Sequence, residues 1–555
     1  MKTFPILLPL TLVLLTACVS PAATTVPATG PAATATYTRL PPSSTPTPIL
    51  TPTPLPTPTP AFISYTTPDW FKNAVLYQIF VRSFADSDGD GIGDFNGITA
   101  NLDYIQSLGA DVIWLMPIHP SPSDHGYDVT DYFAVNPDYG TMADFQLLVD
   151  EVHKRDMRIL IDFVASHLSV EHEFFQDAFG NPNSPYDDWF HFTNEANTSY
   201  QSFANIGNMP RFNHFNPEVV DYLSEVALFW MDPDQDGDTT DGVDGYRVDN
   251  AIFPPNEFFV TLRQRVKRAN PDALLLGEVW VSRSKELRPF FQDQFDALFN
   301  FPLYTLASGD PEGNGDGLLA GVFPASLLTR ILSDQRELFP PEAILVQFFS
   351  NHDTNRLASE LEGDVAREKM AAALSALLPG TVAIYYGEEI GMPGVKGGPP
   401  AWDNYRREPM DWYAAETGPQ MTTWFRPPDR WNRPDDGISV EEQEADPDSL
   451  LNTYRAVLSL KKTLPALREG DFEVLETTAL GRKAWAARRT AGEQTLIAIF
   501  NFGTETTEIT VAGFPFTSPT LTDLLSGETY PGSTAGGDYV ITLPPAGVVW
   551  FLSGE

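Results

Sequence analysis

Residues 245–280 read GYRVDNAIFPPNEFFVTLRQRVKRANPDALLLGEVW. Two short apolar runs, Gly245–Asn250 and Ala273–Trp280, flank Asn256–Ala269, where apolar residues recur at the spacing of one helix face. Neighbouring parallel strands need a crossover connection of this kind, so the segment predicts a strand, a helix and a second, parallel strand. This pattern is typical of an α/β fold.

The same alternation runs through most of the chain and predicts eight strands. Helical patterns lie between most of them, as at Pro217–Met231 and Val365–Leu378. Eight strands with intervening helices favour a closed (β/α)8 TIM barrel over an open doubly wound sheet. The predicted strands are Ala74–Val81, Asp111–Ile118, Arg158–Val164, Gly245–Asn250, Ala273–Trp280, Phe295–Phe301, Ala343–Asn351 and Thr381–Glu389.

Two regions depart from this repeat. The connection between the third and fourth strands is long and rich in aromatic residues, which predicts an inserted subdomain at about residues 168–216. After Pro465 the pattern changes to short alternating strands with Gly-rich turns, typical of an all-β sandwich. We therefore expect a catalytic barrel over residues 68–464 and a C-terminal β-sandwich over residues 465–555.

The N-terminal sequence predicts a targeting signal. A basic start is followed by an apolar run, Phe4–Ala17, which is too short to span a membrane comfortably. The run ends in residues 15–18 (LTAC), which resemble a bacterial lipoprotein cleavage box and imply a signal peptide over residues 1–17 and lipidation of Cys18. An ordinary secretory signal is the alternative. Residues 18–67 are rich in Thr and Pro and predict an extended tether, so we expect an extracytoplasmic protein anchored to the membrane through Cys18.

Composition limits the classes of partner. The chain has 555 residues, of which 42% are hydrophobic and 20% are charged, as in soluble globular proteins. A formal net charge of −39 disfavours nucleic acids and anionic lipid surfaces, because both attract Lys and Arg. The single cysteine excludes an intramolecular disulfide and a Cys-based zinc site. We expect a monomer that binds a neutral or cationic ligand.

Carboxylates stand at the ends of several predicted strands: Asp162, Asp249, Glu278 and Asp353. The strand ends of a TIM barrel meet at one face, where active sites form. Clustered like charges reduce stability, so their convergence indicates a function. Glycoside cleavage needs two carboxyl groups beside the scissile bond, and the sequence contains no HExxH helix, P-loop or GxSxG motif.

Five short motifs stand in order at strand ends and in the long connection: DFVASH at residues 162–167, MPRFN at 209–213, GYRVD at 245–249, GEVW at 277–280 and FSNHD at 349–353. Together they resemble the motifs of the α-amylase superfamily, glycoside hydrolase family 13, and the resemblance covers about residues 70–555. It implies that Asp249 is the nucleophile, Glu278 the general acid/base and Asp353 the residue that stabilises the transition state. The implied reaction is retaining cleavage of α-glucosidic bonds.

The residues around the three acids suit these roles. Arg247 precedes Asp249 by two positions on the same strand face, so we expect it to keep the nucleophile ionised. Glu278 needs a raised pKa to carry a proton near neutral pH, and neighbouring carboxylates and the apolar residues 279–280 favour this. His167 and His352 resemble the sugar-binding histidines of the family.

Further residues are predicted to line the substrate pocket. The loop DHGYD at residues 124–128 resembles the family's stacking loop, with Tyr127 as a platform for a sugar ring. Arg407 resembles an arginine that some α-glucosidases pair with an aspartate at the position of Asp124, behind the terminal sugar. Four tryptophans after strand 8 are either outer sugar platforms or packing residues: Trp402, Trp412, Trp424 and Trp431.

An acidic loop predicts a calcium site. Residues 86–94 (DSDGDGIGD) place oxygen ligands at alternate positions and glycines at the turn, although no Glu follows to complete an EF-hand. A similar family loop implies bound Ca²⁺, and no organic cofactor is expected. A second run, Asp232–Asp238, is similar but precedes strand 4. Ser166 replaces the asparagine that binds calcium in many α-amylases, which argues against that particular site. The predicted ligands are Asp86, Asp88, Asp90, Asp94 and the carbonyl of Ile92.

Several activities remain open within this class. An α-amylase-like hydrolase of starch-like glucans or maltooligosaccharides is the first hypothesis. An exo-acting α-glucosidase or oligo-1,6-glucosidase is the second, and a glucan transferase of trehalose-forming or glucanotransferase type is the third. An inactive glucan-binding surface protein is a hypothesis from a different class. Asn250 follows the nucleophile at a position that varies with linkage in the family, but the residue does not indicate a linkage.

Overall fold

The eight predicted strands form one closed parallel barrel in the computed structural model, which describes residues 62–309, 316–533 and 537–554. The predicted TIM barrel is therefore confirmed. Each predicted strand contains the observed strand and extends beyond it, because the residues after the last paired position leave the sheet for the loops. The barrel strands are β1 (Val75–Ile79), β2 (Val112–Leu115), β3 (Arg158–Phe163), β4 (Gly245–Val248), β5 (Leu274–Gly277), β6 (Ala297–Phe299), β7 (Ile344–Gln347) and β8 (Thr381–Tyr385).

Both faces of the barrel strands are buried, which explains their nearly continuous apolar sequences. In β2, Val112 and Trp114 pack inside the barrel, whereas Ile113 and Leu115 pack against the surrounding helices. The barrel interior is therefore a filled core and not a channel.

Helices follow most of the strands. The helices at Pro217–Met231 and Asn256–Ala269 have the predicted bounds, and Asn216 caps the first by accepting the backbone N–H of Glu218. The α-helices are α1 (Val81–Phe84), α2 (Phe95–Ala100), α3 (Leu102–Ser107), α4 (Met142–His153), α5 (Glu173–Ala178), α6 (Pro217–Met231), α7 (Asn256–Ala269), α8 (Ser284–Leu287), α9 (Phe301–Ala307), α10 (Ser326–Leu338), α11 (Leu357–Glu360), α12 (Val365–Leu377), α13 (Val440–Gln443), α14 (Leu450–Thr463) and α15 (Pro465–Arg468). Short 3-10 helices lie at Asp69–Phe71, Pro137–Tyr139, Asp187–Trp189, Phe203–Asn205, Arg288–Phe291, Glu388–Ile390, Trp402–Arg406 and Leu480–Arg482.

The connection between β3 and α6 holds the predicted insertion. It contains α5 and isolated antiparallel bridges, such as His167 with Arg211 and Phe190 with Phe212. Its side chains form an aromatic cluster in which Phe175 packs edge-on against Phe190 at 5.0 Å between ring centroids. Aromatic packing therefore supports a segment that has little regular secondary structure.

The C-terminal residues form antiparallel sheets. A four-stranded sheet buries Ile497 and Ile499 against the three-stranded sheet, and its opposite face buries Leu496 and Ala498 against helices that include α12. The strands are β9 (Asp471–Leu475), β10 (Thr477–Ala479), β11 (Ala484–Ala491), β12 (Gln494–Asn501), β13 (Thr507–Val511), β14 (Ser518–Thr522), β15 (Thr529–Ser533), β16 (Tyr539–Leu543) and β17 (Val548–Ser553). The sheet orders are β17-β12-β11-β9, β10-β13-β16 and β14-β15.

Tyr65–Glu555 forms one compact unit. It begins three residues before the predicted start of the barrel, since the Tyr65 carbonyl accepts a hydrogen bond from Arg263 and Thr67 Oγ1 donates to the Asp296 carbonyl. The predicted signal peptide, Cys18 and most of the predicted tether lie outside the described residues. Within the described ranges, no helix has the length and apolarity needed to cross a membrane.

Candidate active site

The ends of β3, β4 and β5 bring the predicted acids together. Asp162 on β3 and Arg247 on β4 are partners in register, and Asp249 and Glu278 directly follow the last residues of β4 and β5. The close strand spacing here depends on Gly245, which has φ 151° and where a Cβ atom would lie 2.2 Å from the Leu274 carbonyl oxygen. The register therefore aligns one cation with three carboxylates.

Arg247 is the centre of this cluster. Its guanidinium is fully buried and contacts Asp162 Oδ1 at 2.8 Å, Asp249 Oδ1 at 3.0 Å and Glu278 Oε1 at 2.6 Å. The guanidinium carbon also lies 5.0 Å from the centre of the Trp114 ring. One fixed fork of donors thus orients both predicted reacting carboxyl groups.

The protonation of the cluster differs from the prediction for Asp249. Burial raises the pKa of Asp249 well above its ordinary value even though Arg247 lowers it, and the nearby Glu278 raises it further. Burial also raises the pKa of Glu278, again against Arg247 and with Asp353 acting in the same direction as burial. Both carboxyl groups contact the Arg247 guanidinium, so they titrate as a pair. A nucleophile must be ionised and a general acid must be protonated, so the reaction requires one ionised and one protonated carboxyl group.

The two carboxyl groups differ in their remaining contacts. Asp249 Oδ2 is buried and has no hydrogen-bond partner among the described residues. Glu278 Oε2, in contrast, accepts the backbone N–H of Asn250 at 2.9 Å. An unpartnered buried carboxylate oxygen is costly in a folded protein, so Oδ2 is suited to attack a bound substrate.

Asp353 lies in the loop after β7 and is held by His352 and two arginines. Its Oδ2 is 3.1 Å from His352 Nε2, its Oδ1 is 3.0 Å from Arg407 Nη2, and its backbone carbonyl accepts a hydrogen bond from Arg406. Burial would raise the pKa of Asp353, but His352, Arg407 and Arg247 together lower it below its ordinary value. Asp353 therefore remains ionised, whereas burial favours the protonated forms of Asp249 and Glu278.

Tyr127 and His352 form one wall of the site. Their rings stack at 5.6 Å with an interplanar angle of 14°, and Tyr127 Oη lies 2.6 Å from His352 Nε2. Tyr127 Oη also donates to Asp162 Oδ2 at 3.1 Å. Sequence reasoning missed Gln78, whose Nε2 lies 2.8 Å from His352 Nδ1, although a buried amide within the apolar β1 was a signal for it.

The structure places His167 next to the backbone of Tyr127. Its Nδ1 lies 2.6 Å from Ser166 Oγ, and its Nε2 lies 3.1 Å from the Tyr127 carbonyl oxygen, so both ring nitrogens have protein partners. The ring packs against Phe203 at 4.6 Å between centroids, and burial lowers the pKa of His167 to about 3. In this arrangement the neutral imidazole supports the Tyr127 loop.

The predicted ion pair between Asp124 and Arg407 is absent from the described residues, which corrects that prediction. Asp124 Oδ2 accepts a hydrogen bond from Asn404 Nδ2 at 2.6 Å, and Arg407 pairs with Asp353. The Arg407 guanidinium is also fixed by its Nε, which donates to the His352 carbonyl at 3.0 Å. The loops after β2 and β8 are therefore joined through an amide.

The tryptophans after β8 differ in exposure. Trp412 packs edge-on against Phe84 and donates to its carbonyl oxygen, and Trp424 Nε1 donates to Ser83 Oγ. Trp431 is 40% exposed. Packing thus accounts for Trp412 and Trp424.

The acidic loop after α1 brings together three of its four aspartates. Carboxylate oxygens of Asp86, Asp88 and Asp94 lie within 4.8 Å of one another, whereas Asp90 is outside this group and accepts the Ile92 N–H. Asp86 also accepts three backbone N–H groups, which fixes its orientation. Oxygen donors in this arrangement fit Ca²⁺. At the second acidic run the corresponding group joins Asp232 and Asp234 with Asp241, which lies three residues beyond the run.

The strand ends of this TIM barrel gather three carboxylates around a buried arginine, an arrangement that suits a glycoside hydrolase. The sequence model of the protein family "Alpha amylase, catalytic domain" matches residues 78–470. The chain therefore belongs to the alpha-amylase family and is a glycosidase that acts on α-glucans. "Alpha-amylase 3" of Dictyoglomus thermophilum is 35% identical over 430 residues, which cover 74% of this chain and 81% of that protein. "Probable oligo-1,6-glucosidase 2" of Bacillus subtilis is 30% identical over 530 residues, covering 79% and 91%. The solved alpha-amylase from H.orenii has a TM-score of 0.75 and 34% identity, covering 87% of this chain and all of that one.

Proposed function

We propose that the protein is a retaining, α-amylase-like hydrolase of starch-like glucans or maltooligosaccharides. The observation that carries this proposal is the Arg247 guanidinium, which contacts Asp249 and Glu278 together, while Asp249 Oδ2 has no hydrogen-bond partner among the described residues. Two carboxyls that share one guanidinium favour the separation of about 5–5.5 Å that double displacement needs.

The first step joins the sugar to the enzyme. Asp249 Oδ2 attacks the anomeric carbon while Glu278 gives its proton to the departing oxygen, so a glycosyl ester forms as the glucosidic bond breaks. Glu278, now ionised, then takes a proton from water, whose oxygen displaces Asp249 with net retention. Asp353 binds the sugar hydroxyls as the ring flattens, and Tyr127 stacks on the ring.

A product time course tests the substrate and the mode of cleavage. Maltoheptaose should give a spread of mid-length maltooligosaccharides, with less release from isomaltose and pullulan. Proton NMR of the first product should detect the α-anomer. A first-formed β-anomer would contradict double displacement, and dye-labelled starch that binds without releasing soluble fragments would favour an inactive glucan-binding protein.

A second candidate is an exo-acting α-glucosidase or oligo-1,6-glucosidase. The hydrogen bond between Asp124 and Asn404 favours it, because a link between the loops after β2 and β8 next to Arg407 is suited to close one end of the pocket. Glucose as the first and only small product would support this candidate. Formation of longer glucans or trehalose from maltotriose would support a transferase.

Calcium is the metal proposed for the loop of residues 86–94. Binding to the folded state alone raises stability, by about 2.7 kcal/mol when the ion is at 100 times its Kd. EDTA should therefore lower the Tm of the wild type, and Asp88→Asn should abolish the response. Asp90→Asn is the matched control and should keep the response to EDTA, because the Asp90 carboxylate lies outside the group formed by Asp86, Asp88 and Asp94. A wild-type Tm that EDTA does not change would contradict the site.

The lipid anchor on Cys18 is proposed from the sequence alone, with an extracytoplasmic location on the membrane and a monomeric state. Detergent phase partition tests the anchor. The wild type should enter the detergent-rich phase, and Cys18→Ala should move it to the aqueous phase. An aqueous wild type would favour the ordinary secretory signal.

A further inference from the structure

The chain turns sharply at Asn250, directly after Asp249. Asn250 has φ 42°, in the left-handed region that asparagine tolerates better than most residues with side chains. Its N–H donates to Glu278 Oε2 at 2.9 Å, and the following N–H, of Ala251, donates to the Glu278 carbonyl at 2.9 Å. Two consecutive amides therefore hold one residue, one by its side chain and one by its backbone.

The Asn250 side chain takes no part in this contact. Its Oδ1 is buried and has no hydrogen-bond partner among the described residues. Left-handed residues other than glycine persist only where the surrounding structure holds them, and they cluster at active sites. Asn250 therefore acts on Glu278 through its backbone N–H, whose direction is set by the left-handed conformation.

The amide bond completes the environment of the Glu278 carboxyl. Arg247 Nη2 contacts Oε1 at 2.6 Å, so each carboxyl oxygen has one donor. The charged or titratable groups that face this carboxyl are Arg247 on β4, Asp249 at its end, and His352 and Asp353 in the loop after β7. Burial and Asp353 raise the pKa of Glu278, and Arg247, His352 and the Asn250 amide lower it.

We propose that the left-handed backbone of Asn250 is a positioning element for the general acid/base, with its amide fixing the orientation of the Glu278 carboxyl. This inference rests on the proposed role of Glu278. Because an N–H donor stabilises the ionised carboxylate, the same bond helps to set the pH above which Glu278 has lost its proton. Activity declines above that pH, which gives the basic limb of the pH–activity profile.

Substitutions that separate the backbone from the side chain test this role. Asn250→Val disfavours the left-handed conformation, so kcat should fall roughly 100-fold. The basic limb of kcat/KM should move up by about one pH unit, because the carboxylate loses an N–H donor. Asn250→Gly should keep the wild-type limb, since glycine adopts this conformation and retains the amide. Maltoheptaose is the substrate for all measurements.

A matched control lies at the other end of the barrel. Asp156 is exposed and also left-handed, with φ 56°, in the turn before β3, so Asp156→Val should change neither kcat nor the limb. Equal losses in Asn250→Gly and Asn250→Val with an unmoved limb would assign the effect to the side chain and overturn the inference. If Tm measurements indicate that Asn250→Val is unfolded, Asn250→Ala replaces it. An inactive wild type would instead overturn the proposed function itself.

Discussion

Two buried ion clusters lie at opposite ends of the barrel, and their charge balance is opposite. At the carboxyl ends of the strands, one cation, Arg247, contacts three carboxylates. At the amino ends, one carboxylate, Asp296, contacts two cations of α7, with Arg263 at 2.7 Å and Lys267 at 3.1 Å. Asp296 Oδ2 also accepts the Leu275 N–H, which binds the cluster to β5.

This difference in charge balance distinguishes a cluster that serves catalysis from a cluster that serves stability. Asp296 uses both of its oxygens on protein partners, so this cluster fastens α7 to the barrel. The Arg247 cluster has an excess of acid, and Asp249 Oδ2 has no partner in the part of the chain that the structure describes, which is unfavourable for folding and useful for chemistry. Changes at the carboxyl end should therefore reduce activity more than stability, and changes at the amino end should do the reverse.

Asp249→Asn should have the largest effect. Loss of the nucleophile should lower kcat on every α-glucan by about 10⁴-fold or more. The Tm should stay level or rise, because one like charge leaves an acid-rich cluster. Activity assays and thermal melting check both expectations, and a Tm loss similar to that of an Asp296 variant would contradict the comparison.

Glu278→Gln should reduce activity in a way that depends on the leaving group. The loss on maltooligosaccharides should be about 10²- to 10⁴-fold, with a smaller loss on α-glucosyl fluoride, which needs little acid assistance. Azide should partly restore turnover by intercepting the glycosyl enzyme. Asp353→Asn is the control that azide does not rescue, since it loses hydroxyl contacts. Equal losses on both substrates without azide rescue would remove Glu278 from the acid role.

Asp296→Asn should affect stability. Two buried cations would lose their charged partner, so the free energy of unfolding should fall by about 3–5 kcal/mol. At a temperature where the variant is folded, its kcat should remain near that of the wild type. Asp221→Asn on α6, which breaks a more exposed pair with Arg265 of α7, should cost at most about 1 kcal/mol in a denaturant titration. Similar costs for both variants would contradict a structural role for the buried cluster.

The barrel could be predicted because burial of both strand faces produces apolar runs that are visible in the sequence. The predicted strands were too long, since residues beyond the last paired positions, such as Asp249 and Glu278, are also buried. Strands β14 and β15 are harder to predict from the sequence, because each contains a proline, Pro519 and Pro531, which argues against a strand.

The site was predictable where position along a strand determines it. The carboxylates that follow β4 and β5 meet because parallel strands in register end together. The partner of Arg407 was not predictable, because Asp124 and Asp353 stand on different loops and only the folded loops decide which is nearer. The pKa direction of Asp249 was also missed, since burial outweighs a neighbouring cation that the sequence displays.

Lys461 has the smallest expected effect and allows the most selective test. It is a buried lysine that no carboxylate contacts among the described ion pairs. Its Nζ donates to the carbonyl oxygens of Ala376 and Leu378 at the end of α12. Burial, with a smaller contribution from Arg489, lowers the pKa of Lys461 from 10.5 to about 7. Between these pH values the unfolded chain binds more protons than the folded one, so Lys461 makes stability rise with pH.

The expected slope is about 1 kcal/mol per pH unit above pH 7.5. Burial raises the pKa of Asp411 to about 8, which acts in the opposite sense, so the difference between two proteins isolates Lys461. Lys461→Met should be more stable than the wild type at pH 7, and this advantage should shrink toward pH 9. Lys462→Met removes a more exposed neighbouring charge and should show no such trend in denaturant titrations. A constant difference across this range would mean that Lys461 keeps its proton despite burial.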